Sequence, residues 1–372
     1  MKVAVIKEIK DRENRVGLTP EGAKRLVAEG NEVLVESDAG VNSGFSNEEY
    51  GEAGASIVNT EEAWNSEMVI KVKEPMELEY KFLKEHIVFT YFHLAGVTKT
   101  LTDALLKRRT TAIAYETIED EWGRLPLLAP MSAVAGNMSA LIGSYYLAKF
   151  NNGRGVQLGS VLGERHGKVL VIGDGVVGSH AARTAYGMGA NVYIAGLNDQ
   201  NYQNLKEEVG DGLEFIESTQ ENISEHVKDA DLVVGAVLLH GAKAPYVVTK
   251  DMVKTMQKGS VIVDVSIDQG GCIETSRPTT HSDPVYEIDG VTHYCVTNMP
   301  GAYPRTSTLA LTSATLPYVL KLAKRGIDAL VEDKGFRKGL NAHKGFLIYK
   351  SVAEALGLMD KFREFDSLVL KH

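Results

Sequence analysis

The segment Lys168–Gly178 constrains the fold more than any other part of this 372-residue sequence. An apolar run, Lys168–Ile172, leads into Gly173, Gly175 and Gly178, and a helical pattern follows. This glycine spacing permits a tight turn, a close backbone approach to a pyrophosphate and close packing of the helix on the strand. The helix N-terminus would offer unpaired N–H groups to phosphates. A glycine turn without a ligand is the alternative, but the combined strand, spacing and helix favour a dinucleotide site.

Short apolar runs alternate with helical segments along the whole chain, a pattern typical of parallel sheets covered by helices. Because the chain exceeds the length at which one core stops growing, we expect two domains. The strand candidates are Val3–Ile6, Glu32–Glu36, Met68–Val72, His86–Phe92, Thr111–Tyr115, Lys168–Ile172, Asn191–Ile194, Asp231–Val234 and Ser260–Ile267.

A long helical stretch, Met131–Phe150, separates the two groups of strands, and the chain after Pro300 is predicted to be mostly helical. We therefore predict an α/β fold with two Rossmann-like doubly wound domains. Residues 1–130 and 300–372 would form a substrate domain that the C-terminal helices complete. Residues 131–299 would form the dinucleotide-binding domain.

The composition narrows the range of partners. A formal net charge of -9 argues against a nucleic-acid binder, which needs a concentrated basic surface. Two cysteines in so long a chain indicate no disulfide framework, and we expect a cytoplasmic protein. No apolar run is long enough for a membrane-spanning helix, and no closely spaced His/Cys cluster indicates zinc. Small molecules are the expected partners, with no nucleic acid, membrane or metal.

One feature of a dinucleotide site is missing. The strand after the glycine motif should end in an Asp or Glu that accepts hydrogen bonds from ribose hydroxyls, but that position carries Gly196, with Asn198 and Asp199 beyond it. No arginine stands nearby to attract a 2′-phosphate. We expect NAD as the cofactor, with NADP tolerated because the usual acidic residue is absent.

Four reactive side chains stand near predicted strand ends, the edge at which open α/β sheets bind ligands. Arg15 lies in the loop after the first strand, whereas Lys73, His93 and Asp268 each follow an apolar run. A guanidinium can bind a carboxylate through two parallel hydrogen bonds, and an ammonium can polarise a neighbouring carbonyl oxygen. An imidazole can pass a proton in either direction near neutral pH, and a carboxylate can orient the attacking group. Together these groups suit a 2-oxo acid.

Each of the four also has a structural interpretation. Arg15 belongs to the charged run Lys10–Arg15, which would usually be a solvated face, and Lys73 precedes Glu74-Pro75 and could be an exposed turn residue. His93 could be a strand-end residue without a catalytic role, and Asp268 could cap a turn. The occurrence of all four beside a dinucleotide motif favours the functional interpretation.

A set of segments resembles the alanine dehydrogenase family over nearly the whole chain. They are Arg15–Pro20, Lys71–Pro75, His93–Ala95, Leu127–Ser132, Gly241–Pro245, Asp264–Cys272, Ser276–Pro278, Asn298–Pro300 and Thr306–Thr308. The resemblance implies interconversion of L-alanine with pyruvate and ammonia, with hydride transfer to NAD, usually by a hexamer.

The resemblance also implies residue roles. Arg15 and Lys73 would bind the substrate carboxylate and oxo group, and His93 and Asp268 would be the acid–base residues. Besides Gly173, Gly175 and Gly178, the implied cofactor-site residues are Ser132, Val176, Val177, Gly196, Ser218, Val237, Leu238, Ile267, Asp268, Arg277, Val296, Thr297, Asn298 and Met299.

The sequence departs from the family pattern at four positions. Gly196 stands where Asp is usual and Asn201 where a basic residue is common, and both bear on cofactor choice. Ala133 and Asn137 replace the usual Glu and Arg, which bears on local cofactor contacts or interdomain packing.

Two other functions stay open. The chain could be the NAD-binding subunit of a proton-translocating transhydrogenase, or another amino-acid dehydrogenase of the same architecture. The intact set of reactive groups favours an enzyme over the transhydrogenase subunit, whereas only the size of the substrate pocket decides between amino acids.

Overall fold

A computed structural model describes residues 1–210, 212–238 and 244–369 of the chain. It divides into two compact units, Met1–Met131 with Tyr303–His372 and Ser132–Ala302. The second unit was expected to cover residues 131–299. Its observed start is therefore one residue later and its observed end three residues later. Residues 241–243 of the segment Gly241–Pro245 lie outside the described residues. In the described part of the chain, no helix is long and apolar enough to cross a membrane.

The strands are short, as is usual for parallel sheets. They are β1 (Lys2–Val5), β2 (Glu32–Glu36), β3 (Ser56–Val58), β4 (Met68–Ile70), β5 (Ile87–Thr90), β6 (Thr111–Ala114), β7 (Gly159–Val161), β8 (Glu164–His166), β9 (Lys168–Ile172), β10 (Asn191–Gly196), β11 (Leu213–Glu217), β12 (Leu232–Gly235), β13 (Val261–Asp264), β14 (Val285–Ile288), β15 (Val291–Tyr294), β16 (Leu340–His343) and β17 (Phe346–Leu347).

Helices connect most of the parallel strands. They are α1 (Pro20–Ala28), α2 (Asn47–Glu52), α3 (Thr60–Trp64), α4 (Lys99–Lys107), α5 (Ala129–Leu147), α6 (Val176–Met188), α7 (Gln200–Val209), α8 (Gln220–Val227), α9 (Lys250–Thr255), α10 (Pro304–Arg325), α11 (Ala329–Glu332), α12 (Lys334–Arg337), α13 (Lys350–Ala355) and α14 (Phe365–Val369). Helix α1 begins as predicted, because the Thr19 hydroxyl accepts the N–H of Gly22 and Pro20 occupies the first turn.

The first unit contains a sheet with the strand order β17-β16-β6-β5-β4-β1-β2-β3. Strands β1 to β6 run parallel, and β16 joins β6 in the antiparallel direction. From β1 the chain winds first towards β3 and then, from β4, in the opposite direction. The strand order therefore reverses between β1 and β4, and such a switch point opens a ligand crevice at the carboxyl edge of a sheet.

The second unit repeats this winding. Its main sheet has the order β11-β10-β9-β12-β13-β15-β14, with only β14 antiparallel, and the switch point lies between β9 and β12. Every residue of β12 and β13 is buried, as expected for strands that helices cover on both faces. The prediction of two doubly wound α/β units is confirmed.

Six strands were not predicted from the sequence, namely β3, β7, β8, β11, β14 and β15. Two further regions differ from the prediction in detail. The tail after Pro300 carries helices, as expected, but it also adds the strands β16 and β17 to the first sheet. The strand predicted over Ser260–Ile267 ends at Asp264, whose carboxylate accepts the N–H of Ser266 and starts a 3₁₀ turn over Val265–Gln269. Asp268 therefore lies in this turn and not directly at a strand end.

Candidate functional site

Three of the predicted reactive residues lie in the first unit, in segments that follow three adjacent strands. Arg15 follows β1, Lys73 follows β4 and His93 follows β5, and these strands are neighbours in the sheet. Although Arg15 is ten residues beyond the end of β1, the loop returns to β4, because a Cβ added at Gly17 would lie 2.8 Å from Ile70 Cγ2. The fold thus brings a guanidinium, an ammonium and an imidazole to one sheet edge.

Arg15 is buried, so the interpretation of its charged run as a solvated face is wrong at this residue. Its Nε donates to Glu13 Oε1 at 2.7 Å and its Nη2 donates to Glu13 Oε2 at 2.5 Å, a bidentate pair, while Nη1 lies 3.0 Å from Met131 Sδ. Burial acts to lower the pKa of Arg15, but the Glu13 carboxylate outweighs it and raises the pKa. The side chain is a rigidly held cation.

A second buried ion cluster lies beside the Lys73 backbone. The Lys71 ammonium is 3.3 Å from Glu8 Oε2 and 3.0 Å from Glu79 Oε1, and all three side chains are buried. Glu8 Oε1 also accepts the N–H groups of Val72 at 2.6 Å and Lys73 at 3.3 Å. Burial raises the pKa of Glu8 to about 7, although Lys71 acts to lower it. The cluster fixes the backbone from which Lys73 extends.

His93 has a strained backbone that Glu116 holds in place. Its φ is 48°, in the left-handed region that non-glycine residues seldom adopt. Glu116 accepts the N–H of His93 at 2.6 Å and that of Phe92 at 3.2 Å, and the His93 Nδ1 atom lies 3.9 Å from Glu116 Oε1. The imidazole stacks on Tyr91 with 5.7 Å between ring centroids. Glu116 therefore holds the backbone from which the half-exposed imidazole extends, and the Tyr91 ring limits the orientations of that imidazole.

The glycine motif lies at the carboxyl end of β9 in the second unit. Gly173 has φ 108°, and a Cβ there would lie 2.4 Å from the Ala236 carbonyl oxygen. A Cβ at Gly178 would lie 1.7 Å from the Gly173 carbonyl oxygen, whereas no atom of the described residues lies within 4 Å of a Cβ at Gly175. Gly175 caps α6 without a side-chain hydrogen bond, which leaves the N–H groups of the first turn for a ligand. This cradle fits a pyrophosphate.

Most other residues expected at the cofactor site follow strands of the same sheet at the same edge. They are Gly196 at the end of β10, Ser218 after β11, Val237 and Leu238 after β12, Ile267 and Asp268 in the turn after β13, and Val296, Thr297, Asn298 and Met299 after β15. Val176 and Val177 open α6, Ser132 lies in α5 and Arg277 stacks on Tyr286. The segments that follow the six parallel strands, β9 to β13 and β15, thus place most of these residues along one edge of the sheet.

Asp268 is exposed, and its carboxylate accepts the N–H of Asn298 at 3.3 Å. The turn that carries it is held by Asp264, a buried carboxylate that accepts the N–H groups of Ser266, Cys272 and Ile273. Burial raises the pKa of Asp264 even though these donors act to lower it. Asp264 therefore positions the segment from which Asp268 projects.

The buried groups that hold the reactive ones were not predicted from the sequence. Glu8 lies just before the charged run Lys10–Arg15 and Glu13 lies within it, Lys71 precedes the expected Lys73, and Glu116 follows β6. Glu8 and Glu116 lie just after predicted strands, which could have indicated a role, because the segments that follow parallel strands begin at the same edge.

The two doubly wound sheets, one with a phosphate cradle and one with basic and imidazole groups at its carboxyl edge, define a dinucleotide-dependent α/β enzyme. Residues 4–135 match the family described as alanine dehydrogenase/PNT, N-terminal domain, and residues 139–350 match its C-terminal domain. The chain belongs to the alanine dehydrogenase/PNT family, as the sequence resemblance predicted.

Individual relatives agree with this family. An alanine dehydrogenase of Staphylococcus haemolyticus is 52% identical over 96% of this chain and 97% of its own length. A solved L-alanine dehydrogenase covers 96% of this chain and 99% of its own, with 46% identity and a TM-score of 0.93. A transhydrogenase from Sinorhizobium meliloti has a TM-score of 0.80 over 94% of this chain and 99% of its own, and at 23% identity it shares the fold.

The contacts of Gly178 lead to a first prediction. Gly178→Ala should weaken dinucleotide binding at least about tenfold, because the new Cβ would lie 1.7 Å from the Gly173 carbonyl oxygen and must displace the α6 N-terminus. Gly187→Ala in the same helix is the matched control, since the described part of the chain places no atom within 4 Å of its added Cβ. Calorimetric titration with NADH measures both; equal affinities for the two variants would contradict the cradle.

The buried carboxylate of Glu8 leads to a second prediction. Because its folded pKa of about 7 exceeds the ordinary value of 4.5, the folded state binds the proton more tightly, and stability falls as the pH rises between these values. Glu8→Gln should lack this loss, on the order of 3 kcal/mol. Urea unfolding at about pH 5 and pH 8 measures it, with the exposed Glu52→Gln as the control. A Glu8→Gln variant that loses stability in parallel with the unchanged protein would refute the assignment.

Proposed function

We propose that the chain is an L-alanine dehydrogenase that interconverts L-alanine and pyruvate plus ammonia, with NAD as the hydride acceptor. The observation that carries the proposal is the placement of Arg15, Lys73 and His93 after three adjacent strands of one sheet. The 52% identity to a protein named alanine dehydrogenase supports the choice of substrate. The reaction converts L-alanine, NAD⁺ and water to pyruvate, ammonium, NADH and a proton.

In this proposal Arg15 and Lys73 bind the substrate. The Glu13 pair keeps the guanidinium charged and fixes its plane, and a guanidinium so fixed suits the planar carboxylate of alanine or pyruvate. The Lys73 ammonium polarises the oxo oxygen, and its backbone is held by Glu8. The Arg15 cation and the Lys73 backbone are thus positioned by carboxylates of the chain itself, which reduces the ordering cost of substrate binding.

His93 and Asp268 move protons. After hydride loss from the α-carbon, water adds to the substrate iminium, and His93 accepts a proton from the water and returns it to the departing ammonia. Glu116 holds the backbone from which the imidazole extends, and the Tyr91 ring stacks on the imidazole. Asp268, which the Asn298 N–H holds, stabilises the charge on the protonated groups. The bound nicotinamide supplies the hydride acceptor, and reductive amination follows the same steps in reverse.

The domain roles follow from this assignment. Residues 1–130 and 300–372 would bind substrate, and residues 131–299 would bind NAD. The resemblance to the family supports a homo-oligomer, a hexamer. We also propose that NADP is tolerated to a limited degree, because Gly196 brings no acidic side chain to the end of β10.

A spectrophotometric assay of NADH formation tests the proposal directly. L-Alanine and NAD⁺ should give turnover, and pyruvate, ammonium and NADH should give the reverse reaction. Other small amino acids, tested in parallel, define the specificity. A chain that binds NAD but turns over no amino acid would contradict the proposal and would favour a cofactor-presenting subunit.

His93→Ala should lower kcat by roughly 10²- to 10⁴-fold, the usual contribution of a general acid–base group. NADH affinity should stay within about twofold, because His93 lies in the first unit and the glycine cradle in the second. His166→Ala is a matched control, since His166 is an exposed residue of β8. Near-normal turnover of His93→Ala at every pH would remove His93 from the mechanism.

A further inference from the structure

A carboxylate from the glycine loop reaches the end of β10, where the sequence lacks an acidic residue. A Cβ added to the buried Gly196 would lie 2.8 Å from Asp174 Oδ2 and 2.9 Å from Asp174 Cγ. The space into which a side chain at position 196 would extend is therefore already lined by the Asp174 carboxylate. Gly196 and Asp174 are sterically coupled, since any larger residue at 196 would displace the carboxylate.

Asp174 is held in this position by several contacts. Asn201 Nδ2 donates to Asp174 Oδ2 at 3.3 Å, and Ser179 Oγ donates to the Asp174 carbonyl oxygen at 3.1 Å. The loop itself is tied to β10, because the Gly173 N–H donates to the Ala195 carbonyl at 2.8 Å. Asp174 is partly buried, so these contacts within the fold determine where its carboxylate lies.

A carboxylate at this strand end has a defined role in dinucleotide folds. It accepts hydrogen bonds from the ribose hydroxyls of NAD and repels the 2′-phosphate of NADP. This role depends on where the carboxylate lies and not on which residue supplies it. Asn201, which stands where family members commonly carry a basic residue, orients the carboxylate and adds no positive charge that would attract a 2′-phosphate.

We propose that Asp174 is the ribose-recognising residue of this chain and sets its preference for NAD over NADP, with Gly196 providing the space. The inference rests on the proposed NAD site and deepens it. It also refines the proposed tolerance of NADP: a carboxylate at the strand end limits that tolerance, although it comes from a neighbouring loop and not from the strand itself.

The Glu217 carboxylate, on the neighbouring strand, is a rival. Glu217 pairs with Gly196 in the register of β10 and β11, so it lies one strand further out, roughly 4.8 Å away along the sheet. It is exposed, and it ends the neighbouring strand. Because Glu217→Gln removes the same charge from the same edge, it separates a specific role of Asp174 from the general effect of a negative edge.

Binding of two fragments tests the proposal without turnover. The probes are 5′-AMP and adenosine 2′,5′-bisphosphate, which differ by the 2′-phosphate alone, titrated calorimetrically into the full chain. Asp174→Asn should improve the affinity for the bisphosphate relative to 5′-AMP by about tenfold or more, because like charges in contact strongly disfavour binding. Glu217→Gln should change this ratio less than about twofold. NADPH and NADH should show the same ordering of affinities.

A double variant controls for loss of structure at the site. Asp174→Ala combined with Gly196→Asp moves the carboxylate onto the strand, and it should restore or exceed the original preference for 5′-AMP. An unchanged ratio in Asp174→Asn, an equal change in Glu217→Gln, or no probe binding to the unsubstituted chain would overturn the inference. If L-alanine gave no turnover but the ratio still shifted in Asp174→Asn, the proposed function would fail while the inference stood.

Discussion

Parallel strand pairing is the constraint on which the whole molecule depends. Two parallel neighbours need a crossover connection, which carries the chain from the carboxyl edge of the sheet back to its amino edge. Every segment that follows one of the parallel strands therefore begins at the carboxyl edge, whatever its distance along the sequence. Arg15, Lys73 and His93 follow adjacent strands of the first unit for this reason, and the glycine loop and the turn that carries Asp268 share one edge of the sheet in the second.

Placing charges at this edge has an energetic cost that buried partners offset. Removing an ion from water is costly, and a buried ion pair seldom stabilises a fold more than apolar residues of similar size would. The pairs Arg15–Glu13 and Lys71–Glu8 are thus better understood as devices that fix the geometry of the site. The positive φ of His93 also serves to fix the geometry of the site, because a strained backbone persists only where surrounding contacts hold it in place.

The sequence predicted the architecture well because periodicity and glycine spacing are local signals. For the strands Glu32–Glu36 and Lys168–Ile172, the predicted and observed bounds are identical. The strand predicted over His86–Phe92 is shorter in the structure, because Tyr91 and Phe92 are buried beyond the last ladder pair and apolarity alone does not mark where pairing ends. Strand β17 was missed because it has only two residues, and β16 was missed because it lies in a segment predicted to be mostly helical.

The candidate site was predictable only in part, because a sequence shows which groups follow strands but not which groups support them. Glu8 and Glu13 have the composition of a solvated run, and only the return of their loop to the sheet buries them. Gly196 illustrates the opposite error. Read along the chain, a glycine at this position means that a carboxylate is absent, whereas in the fold it provides the space that Asp174 occupies from 22 positions earlier. Recognition of a ribose depends on charge at a point in space, and a parallel sheet lets several different segments supply that charge.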